Sequence, residues 1–530
     1  MNNIKNILIV GGGSAGWMSA AYLSKCVPNV NVTLVESPKV GTIGVGESTL
    51  GHINKFLDSL ELKDEDWMPY CNATYKTSIK FTDFKEKGCH FQYPFGELDL
   101  THTQWGVRDW CYYQAYFNKN NIKSTEYAEM FAPHTLMTEE GKLCRDEDHS
   151  IFASWNYHYH TAYHMDAEKF GQYLKENIAF SNGVKHIQAT ITNIQTDDNG
   201  IKSIETEEGI TLSGYDLYID CTGFKKLLIE ETLGVPFEPF DDVLMNDRAL
   251  AARIPYIDRE NEMEQVTNCT AIENGWVWNI PLWHRIGTGY VHSSKFADWE
   301  QAEEEFRNHL SKREGFDVST VEFKRIHIKH GIQREPWKKN VCAIGLALGF
   351  IEPLESTGLL TTHENIMRLG DTLSRRQGRV TQFDIDGWNF AAREEIEGFK
   401  QFVSIHYGLS KRDDTPYWRY VTSQIHYTSN HLDLEPEFRT NNLDLMYRIN
   451  STHEIDDSFA DGKVFIMLGM GLNPISTPQA EREVYRYPEL PTIWKGIYEG
   501  QKTRNAELLK EIEKMPTHYE FLKEYIYGKE

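Results

Sequence analysis

Two groups of residues in this chain have types and spacings that could do chemistry. The first is Gly11-x-Gly13-x-x-Gly16, set after the apolar run Ile7-Leu8-Ile9-Val10 and before an apolar-periodic stretch that reaches Cys26. Glycines at that spacing permit a tight turn, close approach of the backbone to a pyrophosphate, and close strand–helix packing. Ser14 and Ala15 open the helix, whose free N–H groups and positive dipole end suit phosphates. Glu36 stands 20 residues past Gly16, at the end of the next β-branched run. An acid there can accept hydrogen bonds from ribose hydroxyls. The reading is a dinucleotide site, and the glycines alone do not separate FAD from NAD. The second group is Trp276 and Trp278. Two apart on a strand, they share a face and can form a wall of two rings. Core packing is the commoner use of tryptophan. Lys76 and Lys80, four apart on a strand, also share a face, so spacing does not choose between them. Glu352 and Glu355 flank Pro353-Leu354. Thr357 and Gly358 precede an apolar-periodic stretch, a helix start whose amides suit an anion.

The elements that must position these groups are legible in part. Residues 1–36 read as a βαβ opening. Residues 186–213 alternate, with a turn at Asp198-Asn199-Gly200, and predict an antiparallel hairpin or meander. Leu217-Tyr218-Ile219-Asp220 and Val341-Cys342-Ala343-Ile344-Gly345 read as short buried strands. Helical patterns cover 357–377, 388–407, 435–447 and 496–526. The fold class is α/β. Residues 1–375 predict a cofactor-binding body in pieces (about 1–80, 160–235 and 330–375), with a substrate region inserted at about 80–160 and 235–330. A helical C-terminal region, 376–530, follows.

Composition narrows the function classes. The 530 residues are 40% hydrophobic and 25% charged, enough for a large core and more than one subdomain. A net charge of −23 repels phosphate backbones and anionic membranes, which excludes nucleic-acid partners and membrane surfaces. An anionic substrate would need a local positive pocket. The eight cysteines are scattered without a Cys-x-x-Cys pair, which reads as reduced thiols in the cytoplasm and as no metal site. No secretory leader and no window of roughly 20 apolar residues is visible.

Gly275-Trp276-Val277-Trp278-Asn279-Ile280-Pro281 resembles the signature of the flavin-dependent halogenases, the tryptophan halogenase family. Gly44-Val45-Gly46-Glu47-Ser48-Thr49 resembles the family's flavin-covering strap, which implies cofactor contacts at Gly46 and Glu47. Tyr75-Lys76-Thr77-Ser78-Ile79-Lys80-Phe81 resembles the segment of the catalytic lysine, placing it at Lys76, with Lys80 as rival. Pro353-Leu354-Glu355-Ser356-Thr357-Gly358 resembles the carboxylate and halide segment. It implies Glu355 as acid–base partner and Thr357 and Gly358 at the halide. Lys411 to Trp418 resembles a family block in the helical region. Asp220-Cys221-Thr222-Gly223 and the segment from Gly345 resemble later FAD-contacting segments of the flavin monooxygenases, which breaks the tie in favour of FAD. For Asp220 a strand-end cap is the plain alternative.

The resemblance implies a flavin monooxygenase-like FAD-binding fold and an FADH2-dependent halogenase. Such an enzyme uses O2 and chloride, bromide or iodide to make hypohalous acid, which Lys76 activates. The tryptophan pair would keep the substrate off the flavin. Tyr93-Pro94-Phe95-Gly96 resembles the substrate-stacking segment, with Tyr93 where the free-tryptophan enzymes carry histidine. Phe459 lies in Asp456 to Lys463, where those enzymes carry an aromatic pair and Asn-Gly-Asn. The expected substrate is therefore an indole or phenol, or a broad range of electron-rich arenes, in preference to free tryptophan. A separate flavin reductase would supply FADH2 by diffusion, and a homo-oligomer is common in the family. The alternatives are a flavin-dependent aromatic hydroxylase and a non-catalytic flavin-binding protein. The tryptophan wall argues against the first. The retention of Lys76 and Glu355 argues against the second.

Overall fold

The structure is a computed structural model that describes residues 3–39, 41, 47–145, 151–424, 428–429, 432–433, 457–473 and 475–528. The chain divides into two compact units. The first comprises Met1–Thr74, Ala162–Leu244 and His327–Lys400, and the second Tyr75–Thr161, Met245–Ile326 and Gln401–Glu530.

The first unit is built on a six-stranded sheet in the order Trp337–Lys338, Val341–Ala343, Leu217–Asp220, Asn6–Val10, Asn31–Glu36, Lys185–Gln188. All neighbours pair in parallel except the first two. Parallel strands covered on both faces need unbroken apolar runs, and Ile7, Leu8, Ile9, Leu34, Leu217, Ile219 and Val341 are buried accordingly. The helix Ser14–Cys26 packs against the helix Thr357–Arg376 so closely that a Cβ on Gly370 would lie 2.6 Å from the Tyr22 ring. The expected meander is shorter than its pattern. Ile191–Asp197, Gly200–Thr206 and Thr211–Ser213 form a three-stranded antiparallel sheet, whereas Lys185–Gln188 leaves it for the edge of the parallel sheet beside Glu36.

In the second unit the strands Arg248–Ile254, Ile286–His292, Gly275–Pro281, Val266–Ile272, Ser78–Thr82 and His90–Pro94 are neighbours in that order. Pairing is antiparallel except between Val266–Ile272 and Ser78–Thr82. The helix Trp299–Leu310, capped by the Asp298 carboxylate on Gln301 N, covers a core of Leu250, Ile254, Val277, Tyr290 and Phe306. The helix expected over 496–526 is two elements, Leu490–Ile512 and His518–Leu522. Pro516 cannot continue the first, and Thr517 with Glu520 forms a capping box that starts the second. The helix expected from 388 begins earlier, at Gln382, where Asp384 accepts hydrogen bonds from Thr381 N and Oγ1. The segment 435–447 lies outside the described residues.

Candidate active site

The glycine turn is shaped as its spacing demands. Gly11 has φ +112° and donates its N–H to the Val35 carbonyl (2.9 Å), and a Cβ there would lie 2.3 Å from the Cys221 carbonyl oxygen. A Cβ on Gly16 would lie 1.9 Å from the Gly11 carbonyl oxygen, so only glycine allows the helix this close to the strand. Gly13 differs: nothing lies within 4 Å of a Cβ built on it. It caps the helix with no side-chain hydrogen bond, so no cap side chain takes up the first N–H groups. That is the cradle a pyrophosphate requires. Ala15 sits where a Cβ on Gly345 (φ +65°) would come within 2.8 Å of it. The Ser14 hydroxyl donates to the Ala167 carbonyl (3.1 Å).

Glu36 ends its strand against Gly12 and faces His186 Nε2 at 2.7 Å and Lys175 Nζ at 3.6 Å. Neither partner has a signal in the sequence: His186 lies in the alternating stretch 186–213, and Lys175 lies in no motif. Asp220 is fully buried, and both its oxygens are engaged. One accepts from Thr222 N (3.0 Å) and Oγ1 (2.6 Å), the other from Leu228 N (2.8 Å) and Ile229 N (2.9 Å). It fixes the turn that follows its strand. Burial raises its pKa, against those hydrogen bonds. Glu47 pairs across to Met165, and its carboxyl is pushed up to about 7 by burial, with Asp166 adding to the shift. Gly46 lies outside the described residues.

In the second unit the structure separates the two lysines. The strand breaks at Thr77, whose N–H donates to the Gln265 carbonyl (2.9 Å) and whose hydroxyl meets that of Thr138 (2.8 Å). Lys76 is fully buried, and its ammonium lies 4.9 Å from the centre of the Phe95 ring. Lys80 is partly exposed and sits near the carboxylates of Glu139 and Glu264. Tyr93 is buried edge-on to Phe95 (5.7 Å) and stacked near Phe465 (6.2 Å). Phe459 falls in the first turn of the same helix as Phe465, Asp457–Gly469, and its side chain lies outside what the structure describes. Trp276 and Trp278 are buried with ring centres 6.2 Å apart and planes tilted by 59°. Trp278 fills the space left by Gly289, where a Cβ would lie 2.2 Å from its ring.

Glu355 closes the turn Pro353–Glu355 and is fully buried, as is Glu352. Ser356 follows in the left-handed region (φ 59°) with its hydroxyl 3.1 Å from that of Ser48, and the helix Thr357–Arg376 starts there. Thr357 and Gly358 line a small pocket with Gly345, Gly349, Phe350 and Thr361. No atom lies within 4 Å of a Cβ built on Gly358. Neither burial nor distance from the pocket distinguishes the two acids: Glu352 directly follows the lining residue Ile351, and Glu355 lies two residues before Thr357.

The family model for tryptophan halogenases matches residues 6–479. The chain belongs to the tryptophan halogenase family. It is 35% identical over 449 residues to tryptophan 6-halogenase SttH of Streptomyces toxytricini, covering 79% of this chain and 80% of that one. Among solved structures, VirX1 in its apo form superimposes with a TM-score of 0.90 at 44% identity, covering 99% of this chain and 100% of that one. Xcc4156, a flavin-dependent halogenase from Xanthomonas campestris, has a TM-score of 0.80 at 28% identity over 99% of both chains. The protein is thus a flavin-dependent halogenase, an oxidoreductase with the family's FAD-binding fold, using FADH2 and halide.

One residue beside the halogenase aromatic segment carried no signal in the sequence. His134 is fully buried, and its ring abuts Gly96, where a Cβ would lie 3.1 Å from its Cε1. Burial, with His160 adding to it, pulls its pKa down to about 3, so the imidazole is neutral at ordinary pH. Trp155 stacks on it at 6.2 Å. Among the described residues no helix is long and apolar enough to cross a membrane.

Proposed function

We propose that this halogenase acts on an electron-rich arene of indole or phenol type, and that Lys76 activates hypohalous acid for the attack. The observation that carries the reading is the fully buried Lys76 ammonium 4.9 Å over the Phe95 ring. An ammonium is seldom buried without a task, because desolvation costs several kcal/mol. A cation–π contact offsets about 0.5–2 kcal/mol of that. The burial and the ring together support a hydrogen-bond donor held in an aromatic pocket.

Reduced FAD, when bound, supplies the reducing equivalents with which O2 oxidises the halide. We assign the first unit as the FAD-binding body. Gly11, Gly13, Ser14, Ala15 and Gly16 would cradle the pyrophosphate and Glu36 the ribose, with Gly46, Glu47, Asp220 and Gly345 at or behind the cofactor. The open Gly13 and the close-packed Gly11 and Gly16 fit that group. Thr357 and Gly358 would hold the halide at a helix N-terminus.

The remaining steps belong to the chain's own residues. Phe95, Tyr93 and Phe459 would hold the arene. Trp276 and Trp278 would bar it from the flavin, so the oxidant travels to the substrate. Lys76 donates a hydrogen bond to the oxygen of hypohalous acid, and the arene carbon attacks the halogen. The carbon–halogen bond forms, the halogen–oxygen bond breaks, and the oxygen leaves as water with the donated proton. The resemblance to the family's carboxylate segment assigns to Glu355 the removal of the ring proton, which restores the aromatic ring. We further propose a separate, diffusing flavin reductase as partner and the cytoplasm as location.

The test is mass spectrometry of reactions containing FAD, a flavin reductase with NADH, oxygen and a panel of indoles and phenols. Chloride, bromide and iodide are supplied one at a time, with Lys76→Ala in parallel. A halogen mass shift that vanishes in Lys76→Ala is the expected result. Oxygen incorporation in its place would establish a hydroxylase and overturn the proposal.

A further inference from the structure

The family match ends at residue 479, yet the last described residues reach the strand that carries Lys76. Pro516 ends a helix, and its carbonyl accepts from Leu143 N (3.2 Å). His518 N donates to the Gly141 carbonyl (2.8 Å), and its imidazole donates from Nδ1 to the Met263 carbonyl (2.9 Å). The capping box at Thr517 and Glu520 then fixes the direction of the short helix His518–Leu522. These bonds aim one ring, Phe521, at one target. Phe521 is buried edge-on to Tyr75 (5.9 Å) and packs on Tyr157 (5.8 Å), while Tyr75 and Tyr157 meet at 5.5 Å. The three rings close a triangle. Further along, Tyr527 stacks on Trp283 with ring centres 3.8 Å apart and planes 4° from parallel, which secures the far end of the segment.

We propose that His518–Tyr527 is a positioning clamp for the catalytic lysine, with Phe521 acting on Lys76 through Tyr75. The proposal rests on the reading of Lys76 as the group that activates hypohalous acid. The physical reason is the shortness of the strand. It runs Thr74–Lys76, so the lysine is its last residue, with the break at Thr77 on one side and Tyr75 on the other. A ring gripped by two others cannot change rotamer without expelling one of them, so Tyr75 has one position and the Lys76 Cα has one. The lysine side chain has four torsions, and a shift at its root is magnified at Nζ. A misplacement of about 1 Å can cost about 100-fold in rate. Truncating Phe521 would leave hypohalous acid forming while the ammonium that should hold it is displaced. The oxidant then escapes to solvent.

The experiment measures a ratio. Native enzyme and variants turn over indole and bromide with FAD, reductase and NADH. The product bromoindole is divided by the oxidised bromine captured by added monochlorodimedone. Phe521→Ala is expected to lower that ratio by about tenfold, with Phe521→Tyr, which keeps the ring, within about twofold of native. Phe521→Leu keeps the volume and the fold but not the ring edge, and is expected to match the alanine variant. Lys76→Ala serves as reference and is expected to give the lowest ratio. A merely structural role for Phe521 lowers both products together and leaves the ratio native, which overturns the clamp while a low ratio in Lys76→Ala keeps the lysine reading. A native ratio in Lys76→Ala removes the lysine reading itself, and the clamp with it.

Discussion

The Lys76 ammonium stands 4.9 Å from the centre of the Phe95 ring, and Phe95 N donates to the carbonyl of the very next residue, Thr77, at 2.9 Å. The two side chains are therefore held together by backbone as well as by charge and quadrupole. Lys76→Met keeps the length and volume but removes the charge. This variant is expected to stay folded, with a cooperative melting transition, while losing halogenation by at least about 1,000-fold. Differential scanning calorimetry and chromatography of the product check the two halves. A variant that loses stability and activity in parallel would show that the lysine holds the fold together.

The three glycines of the opening turn predict unequal outcomes. A Cβ on Gly16 collides with the Gly11 carbonyl at 1.9 Å, so Gly16→Ala is expected to cost several kcal/mol and yield little folded protein. A Cβ on Gly13 meets nothing within 4 Å. Gly13→Ala is expected to fold normally yet weaken FAD by at least about tenfold, because the methyl group takes up the space of the pyrophosphate. Thermal melts and titration of flavin fluorescence separate the two. Unchanged FAD affinity in a folded Gly13→Ala would remove the phosphate assignment.

The parts of this molecule written in local pattern were legible. The parallel sheet announces itself in Ile7 to Val10 and Leu217 to Asp220, because strands buried on both faces must be apolar throughout. The glycine turn is legible because its backbone excludes every other residue at Gly11 and Gly16. What local pattern does not carry is what lies opposite. Lys76 and Lys80 have equal spacing claims; the resemblance favours Lys76, and the break at Thr77 and the placement of Phe95 give the two different surroundings. His186 pairs with Glu36 because its strand changes sheets, a choice made by long-range pairing. His134 has no motif around it, and only the fold brings it to Gly96. The Phe521 ring reaches Tyr75 across more than four hundred residues of chain, a distance that periodicity does not span.

His134 gives a prediction in pH. Its folded pKa, about 3, lies below the ordinary value of 6.5, so the folded state holds it neutral while the unfolded chain takes up a proton. Its contribution to stability is whole above about pH 6.5 and is lost as pH falls towards 3, at about 1.4 kcal/mol per pH unit. His134→Asn has no such group. The stability gap between native protein and variant is therefore expected to shrink, unit by unit, below about pH 6.5 and to stay constant above it. Urea unfolding of both proteins at pH 8, 6 and 5 measures the gap. A gap that is flat across that range would mean that the imidazole is not desolvated.

The halide assignment predicts a dependence on ion size. Gly358 sits in the first turn of Thr357–Arg376, lines the small pocket, and has open space where its Cβ would go. Replacing a helical glycine by alanine usually stabilises a helix by up to about 1 kcal/mol, so Gly358→Ala is expected to hold or raise the melting temperature. The added methyl group narrows the pocket, and a larger anion has less room to reach the helix amides. KM is expected to rise most for iodide, less for bromide and least for chloride. Steady-state rates at varied halide, with one arene held saturating, decide it. An equal rise for all three ions would point to a general disturbance of the turn at Ser356, and no change for any of them would place the halide elsewhere.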